Sequence, residues 1–333
     1  MIENTLFHPV ALVTDLGEKP LATHLMGQDL VLWRDSTSTV HAAADRCPHR
    51  GAALSMGRVQ GDTLECGYHG WRFDGRGQCV SVPAVPHFQP PATHRACAYS
   101  ARVAYGLVWV ALQADVPANE PGLLPDFAAE HDDRLRKVNC GPYEVATSAP
   151  RIIENFLDMS HFGFVHEGWL GSRDTTEMIP YKVDVTPTGF LATECKAWQP
   201  QSSLHATDGA MVEYTYEVNA PYTCVLTKVP EAASVALADF RESIALFVCP
   251  LTPESSRVWI RLAMNDFESS DKKLQDFQDT IFLQDKPVLE SQRPRRLPIT
   301  SAAPVTELHS VADRSSAAYR RYLGERGITF GVC

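Results

Sequence analysis

Apolar positions in roughly the first 115 residues come in short blocks separated by turn residues. Asp29 to Trp33 and Tyr105 to Leu112 read as strands, and Asp74 to Gly77 carries the Asp-Gly-x-Gly signature of a turn. Val82 to Pro91 holds four prolines and reads as an extended loop. This half is expected to be all-β. A second Pro-containing stretch, Val116 to Pro125, reads as the inter-domain connection. Beyond it the pattern mixes. Arg151 to Phe164 reads as a helix, and residues 182 to 262 contain strand-like runs such as Met211 to Glu217 and Ser255 to Leu262. Ser270 to Glu290 has the period of a long amphipathic helix, with Leu274, Phe277, Ile281 and Phe282 on one side and Pro287 expected to kink or end it. The expectation is an α+β protein of two domains, residues 1–115 and 116–333, without internal repeats.

Composition narrows the function classes. The 333 residues are 44% hydrophobic, enough for sizeable cores. A formal net charge of −10 argues against a nucleic-acid binder, which would carry a basic face. Met1 to Val10 has no basic-then-apolar signal pattern, and the apolar runs are too short for a transmembrane helix. Nine cysteines, an odd number scattered from Cys47 to Cys333, fit reduced thiols better than a disulfide framework. A cytoplasmic protein is expected, with no nucleic-acid or membrane partner.

Two of the cysteines have histidine neighbours. The chain reads Cys47-Pro-His49, then sixteen residues, then Cys66-Gly-Tyr-His69. A Rieske [2Fe–2S] cluster needs two thiolates on one iron and two imidazoles on the other, and two loops each supplying one Cys and one His meet that need. Pro48, Gly51, Gly67 and Gly70 are small or rigid neighbours that let backbone approach the cluster. A zinc site is the alternative, but zinc favours C-x2-C pairs over mixed ones.

A second constellation lies between Glu154 and His166. Asp158 and His161 are three apart and would share a helical face; His161 and His166 are five apart and would not. Either a π-type bulge aligns the histidines or the helix ends near Gly163. Phe156, Phe162, Phe164 and Val165 would keep such a pocket dry. Two histidines and a carboxylate form the facial triad of non-haem iron(II), which leaves positions open for O2. The plain alternative is a pair of buried, hydrogen-bonded histidines. The third ligand must come from elsewhere; the acids of the long helix are Asp271, Asp276, Asp279, Asp285 and Glu290, and spacing alone does not choose among them. Trp198, Tyr216, Phe247 and Trp259 read as ordinary core rather than as pocket. Glu154 and Glu167, beside the iron segment, hint at a polar substrate.

Together, in this order, the two motifs resemble the α-subunits of Rieske oxygenases, over essentially the whole chain. The segment Ile281 to Pro294 is similar to that of the monooxygenase branch, which includes vanillate and dicamba O-demethylases and the caffeine N-demethylases. His166 to Gly171, Ala318 to Leu323 and Gly331 to Cys333 look more like the saxitoxin-pathway hydroxylases. The resemblance implies an N-terminal Rieske domain followed by a helix-grip catalytic domain. It makes Cys47, His49, Cys66 and His69 the cluster ligands, and His161, His166 and Asp285 the iron ligands. It makes Asp158 an electron-transfer bridge between a cluster histidine of one subunit and an iron histidine of the next, and places Asn155 near the iron. It also implies a head-to-tail homotrimer.

Neither a flavin-type G-x-G-x-x-G after a strand nor a plant-type ferredoxin motif is present, so electrons from NAD(P)H are expected through a separate reductase, or a ferredoxin plus reductase. Arg46, Arg50, Arg72 and Arg76 flank the cluster loops as a candidate docking patch. The expected reaction is hydroxylation of a C–H bond with O2 in a small ring compound, ending in N- or O-demethylation. The alternative is hydroxylation of an alicyclic or alkaloid-like substrate without demethylation.

Overall fold

The computed structural model describes residues 1–117, 123–201, 204, 208–230, 242–300 and 303–333. Part of the proline-containing connection and part of the 182–262 strand region lie outside them. The chain forms two compact units, Met1–Leu124 and Pro125–Cys333.

Among its described residues the first unit has ten short strands: β1 (His8–Leu12), β2 (Leu21–Leu25), β3 (Gln28–Arg34), β4 (Val40–Ala44), β5 (Arg58–Gln60), β6 (Thr63–Glu65), β7 (Arg72–Phe73), β8 (Cys79–Ser81), β9 (Ala98–Ala104) and β10 (Leu107–Ala111). They form a six-stranded sheet, β1-β10-β9-β4-β3-β2, and a four-stranded one, β5-β6-β7-β8, with every pairing antiparallel. The runs that read as strands are buried without alternation: Leu30 to Trp33 in β3 and all of β10. A continuously apolar strand is one covered on both faces. The expected turn at Asp74 forms, with the Asp74 carboxylate accepting from the amides of Arg76 and Gln78.

The second unit is built on a seven-stranded antiparallel sheet in the order β11-β17-β16-β15-β14-β13-β12. Its strands are β11 (Arg136–Val145), β12 (Lys182–Val185), β13 (Phe190–Gln199), β14 (Ala210–Ala220), β15 (Thr223–Pro230), β16 (Glu242–Thr252) and β17 (Ser255–Met264). Among the described residues four α-helices accompany it: α1 (Ala149–Leu157), α2 (Phe162–Val165), α3 (Asp271–Ser291) and α4 (Arg314–Glu325). The long helix α3 starts where Ser270 accepts from the amide of Lys273. It is held to β11 by the Tyr143 ring stacked on Phe282 at 4.3 Å and by the Tyr143 hydroxyl donating to Asp279 at 2.6 Å. Ile152, Ile153 and Leu157 of α1 are at most 1% exposed, each side chain worth about 1.5–3 kcal/mol of burial. Helix α4 is tied to α1 by Arg320, which donates to both carboxylate oxygens of Glu154. This is the α+β, helix-on-sheet architecture expected.

One expectation about helices is corrected. Arg151 to Phe164 is not one helix and carries no π-bulge: α1 stops at Leu157, six residues before Gly163, and α2 is a separate single turn. The cause is Asp158. Its backbone turns extended (φ −88°, ψ 130°), and its carboxylate takes the Ser160 amide and hydroxyl, a local bond that competes with the helix. Pro287 lies within the last turns of α3, which runs on four residues beyond it to Ser291. Leu283, whose carbonyl the proline ring leaves without an N–H partner, faces solvent with Pro287, where water can serve it.

Candidate metal centres

The two Cys/His loops of the first unit share one hydrogen-bond pattern. Cys47 N–H donates to Ala52 and Gly51 N–H donates back to Cys47; Cys66 N–H donates to Trp71 and Gly70 N–H donates back to Cys66. Gly51 and Gly70 close the loops at φ +73° and +70°, a conformation that glycine adopts without strain. Each loop buries its thiol and turns its imidazole outward: Cys47 and Cys66 are both 2% exposed, whereas His69 is exposed and His49 half-buried. The imidazole rings lie 4.6 Å apart, and His49 stacks on Trp71 at 4.4 Å. Burial, with the neighbouring Cys66 adding to it, pushes the Cys47 thiol up to about 11.

In the second unit, α2 performs the work expected of an irregular helix. Val165 N–H donates to the His161 carbonyl and His166 N–H to Phe162, so one turn brings residues five apart to a ring separation of 5.0 Å. Helix α3 supplies the third group. Asp285 Oδ1 is 3.4 Å from His161 Nε2 and 3.2 Å from His166 Nε2, and ligand atoms of the three residues lie within 4.8 Å of one another. Of the five acids in the helix segment it is Asp285 that is buried against the apolar side, at 8% exposed. Asp158 stands behind His161, its Oδ2 3.0 Å from Nδ1. Gln284 Oε1 stands behind His166 at 2.8 Å from Nδ1, and Asn155 donates to Asp285 at 3.4 Å.

Burial opposes charge on the His166 imidazole, but the Asp285 carboxylate and Gln284 outweigh it and hold the ring above its usual range. Burial likewise raises Asp158, yet its bonds from His161 and Ser160 win and keep the carboxyl below the ordinary value.

Residues 7–97 match the model of the Rieske [2Fe–2S] domain, and residues 145–327, more than half of the chain, match that of the vanillate O-demethylase oxygenase C-terminal domain. The chain belongs to the Rieske oxygenases. It is 32% identical over 325 residues to methylxanthine N1-demethylase NdmA of Pseudomonas putida, covering 96% of this chain and 88% of that one. The structure of Pseudomonas putida NdmA with caffeine superposes with a TM-score of 0.83 at 31% identity, over 97% of this chain and 90% of that one. Dicamba monooxygenase shares the fold at 23% identity, TM-score 0.80, over 98% and 97% of the two chains.

A Rieske oxygenase carries a [2Fe–2S] cluster and a mononuclear iron, uses O2, receives electrons from reductase or ferredoxin partners and acts on a small molecule. The donor sets fit those cofactors. Two buried thiols with two outward imidazoles match a Rieske cluster. His161 Nε2 is buried without a hydrogen-bond partner and faces a carboxylate and a second imidazole, as a metal ligand would. Among the described residues no helix is long and apolar enough to cross a membrane.

Beside the histidines and Asp285 is a cavity between helices and sheet. Asn155, Phe156, Phe277, Gln278, Ile281 and Phe282 line its helix side; Tyr214, Tyr216, Leu226, Lys228, Glu242, Ile244 and Ile260 line its sheet side. Several expectations change here. Tyr216 lines the cavity rather than belonging only to the core, whereas Phe247 and Trp259 are core residues at 0% and 1% exposed. Phe164 faces solvent at 52% exposed, because the single turn of α2 points it away from Phe162. Glu154 is engaged by Arg320 and Glu167 by Arg173, so neither is among the groups lining the cavity. In the cluster unit, Arg72 donates to Glu65 at 2.8 Å, while Arg46, Arg50 and Arg76 are exposed. Sequence reasoning missed Gln284, Gln278, Lys228 and Glu242; helical phase was the signal available for the glutamines, whereas the charged pair needed its strand pairing as well.

Proposed function

We propose that this oxygenase removes a methyl group from a ring nitrogen, or from a methoxy oxygen on the ring, of a small heterocycle or arene. The observation that carries the reading is the His161–His166–Asp285 trio, with side chains at most 13% exposed, beside a largely apolar cavity. NdmA, a methylxanthine N1-demethylase by name, supports the choice of a methylated ring. In this reading Cys47, His49, Cys66 and His69 hold the cluster and His161, His166 and Asp285 hold the iron. When bound, the two centres supply single electrons and the activation of O2.

The chain's own residues set the stage. Asp158 and Gln284 fix the imidazoles by their Nδ1 atoms and leave both Nε2 atoms facing Asp285. The Asn155 amide orients the Asp285 carboxylate. Phe156, Phe162, Phe277 and Phe282 exclude water from the reacting carbon. Hydroxylation of an N- or O-methyl group gives a product that collapses with loss of formaldehyde. In a head-to-tail homotrimer Asp158, still 27% exposed on its side chain, would bridge His161 to a cluster histidine of a neighbouring copy. We further infer a cytoplasmic location and a separate reductase drawing on NAD(P)H.

Formaldehyde release tests the reading. The iron-loaded protein, a surrogate reductase and NADH are offered N-methylated purines and methoxyarenes. Formaldehyde formed in step with NADH oxidation is the expected result. Oxygen uptake with a hydroxylated product and no formaldehyde would replace demethylation by plain hydroxylation.

A further inference from the structure

A cation and an anion stand side by side in the sheet wall of the cavity. Lys228 on β15 and Glu242 on β16 are cross-strand partners, joined Nζ to Oε2 at 2.8 Å with side chains only 7% and 10% exposed. The next inward pair along the same strands is Leu226 and Ile244, and both pairs line the cavity. The Tyr214 phenol, held high by burial, is raised further by the nearby Glu242 charge.

Holding two strands together does not require this pair. Desolvating two charges costs several kcal/mol, and apolar residues of similar volume commonly serve as well or better. What the pair adds is chemistry in the wall. An ammonium has three N–H donors and a carboxylate two acceptor oxygens, so the bond between them leaves a donor and an acceptor beside each other. Their charges cancel. An ionic ligand would break that balance and strand one charge in an apolar surrounding, whereas a neutral ligand with adjacent acceptor and donor would satisfy both groups.

We propose that Lys228 and Glu242 are specificity-determining residues that read the free edge of a neutral cyclic imide or ureide: Lys228 Nζ–H donates to a ring carbonyl, and the adjacent ring N–H donates to the Glu242 carboxylate. This rests on the demethylase reading above. The unmethylated edge is held at the sheet wall, leaving the methylated part of the ring for the side that carries His161, His166 and Asp285.

Calorimetric titration of the metal-loaded protein, with no reductase present, tests the proposal with two probes. Theobromine presents a free imide N–H between two carbonyls; caffeine is the same ring with that nitrogen methylated. Theobromine is expected to bind roughly tenfold or more tighter, the scale of a hydrogen bond to a charged group. Single substitutions would strand a buried charge and threaten the fold, so the informative variant is K228M/E242L, with its melting curve as a control. It is expected to bring theobromine down to the affinity of caffeine and to leave caffeine within about twofold of its original value. Equal binding of the two probes, binding of neither, an unchanged preference in the double variant, or a preference for benzoate over theobromine would each overturn the proposal. The two readings fail separately. Formaldehyde from methoxyarenes without theobromine binding would sink the edge-reading pair alone. Theobromine bound through the pair, but turned over without formaldehyde, would sink demethylation alone.

Discussion

The two proposed cluster loops bury their thiols and turn their imidazoles outward, whereas the proposed iron site turns all three of its donors inward. His69 is exposed and His49 half-buried, but His166 and Asp285 are 1% and 8% exposed and His161 Nε2 is buried outright. The physical demands differ. A centre that passes single electrons gains from ligands at the surface, where another protein can approach. A centre that handles O2 and substrate gains from a water-excluding pocket with fixed donors. The construction follows. Each cluster loop is local, closed within six residues by two backbone hydrogen bonds. The proposed iron site is assembled from distant segments: its donors come from the turn of α2 and from α3, and Asn155 and Asp158 at the end of α1 bond to two of them.

The largest effects should separate the two centres completely. Cys66→Ser is expected to bleach the visible absorbance of the cluster while leaving iron at the second site; an unchanged spectrum would refute the Rieske assignment. His161→Ala is expected to do the reverse, with cluster absorbance intact, mononuclear iron lost on metal analysis and turnover abolished. Retained turnover would sink the iron-ligand assignment.

Asp158→Asn is the next test, because this residue belongs to the iron site by contact and, in the proposed trimer, to the cluster by function. Both metals should remain while turnover falls about 10–100-fold or more. Loss of the mononuclear iron would show that Asp158 serves the metal rather than the route between centres.

The contrast in construction also explains what was legible in the sequence. Cys47, His49, Cys66 and His69 could be read directly because a loop motif keeps its spacing when folded. His161 and His166 were visible, but their mutual geometry was not, because Asp158 breaks the helix by bonding Ser160 rather than by any helix-breaking composition. Asp285 needed the resemblance, although helical phase would have removed rivals. It shares a stripe with Leu274, Gln278 and Leu289; Asp276, Asp279 and Glu290 do not, and Asp271 pairs with Arg136 at the helix start. The charged pair Lys228 and Glu242 was hidden because strand phase reveals an inward charge only once the neighbouring strand is known.

The smallest expected effect sharpens the comparison within the iron site itself. The two histidines have unequal supports: a carboxylate behind His161 and a neutral amide behind His166. Both fix the tautomer, since each accepts from Nδ1–H and leaves Nε2 for the metal, but only the carboxylate also makes the ring a stronger donor. Removing the amide in Gln284→Ala frees the His166 ring without touching its packing against Phe162. Iron retention against a chelator should then fall about tenfold, with cluster absorbance unchanged. Gln284→Glu restores an acceptor at the same reach and adds the charge that His161 already enjoys. Iron retention should return to the original level or exceed it. If alanine and glutamate variants lose iron alike, the amide's N–H side, rather than its oxygen behind His166, is what the site uses.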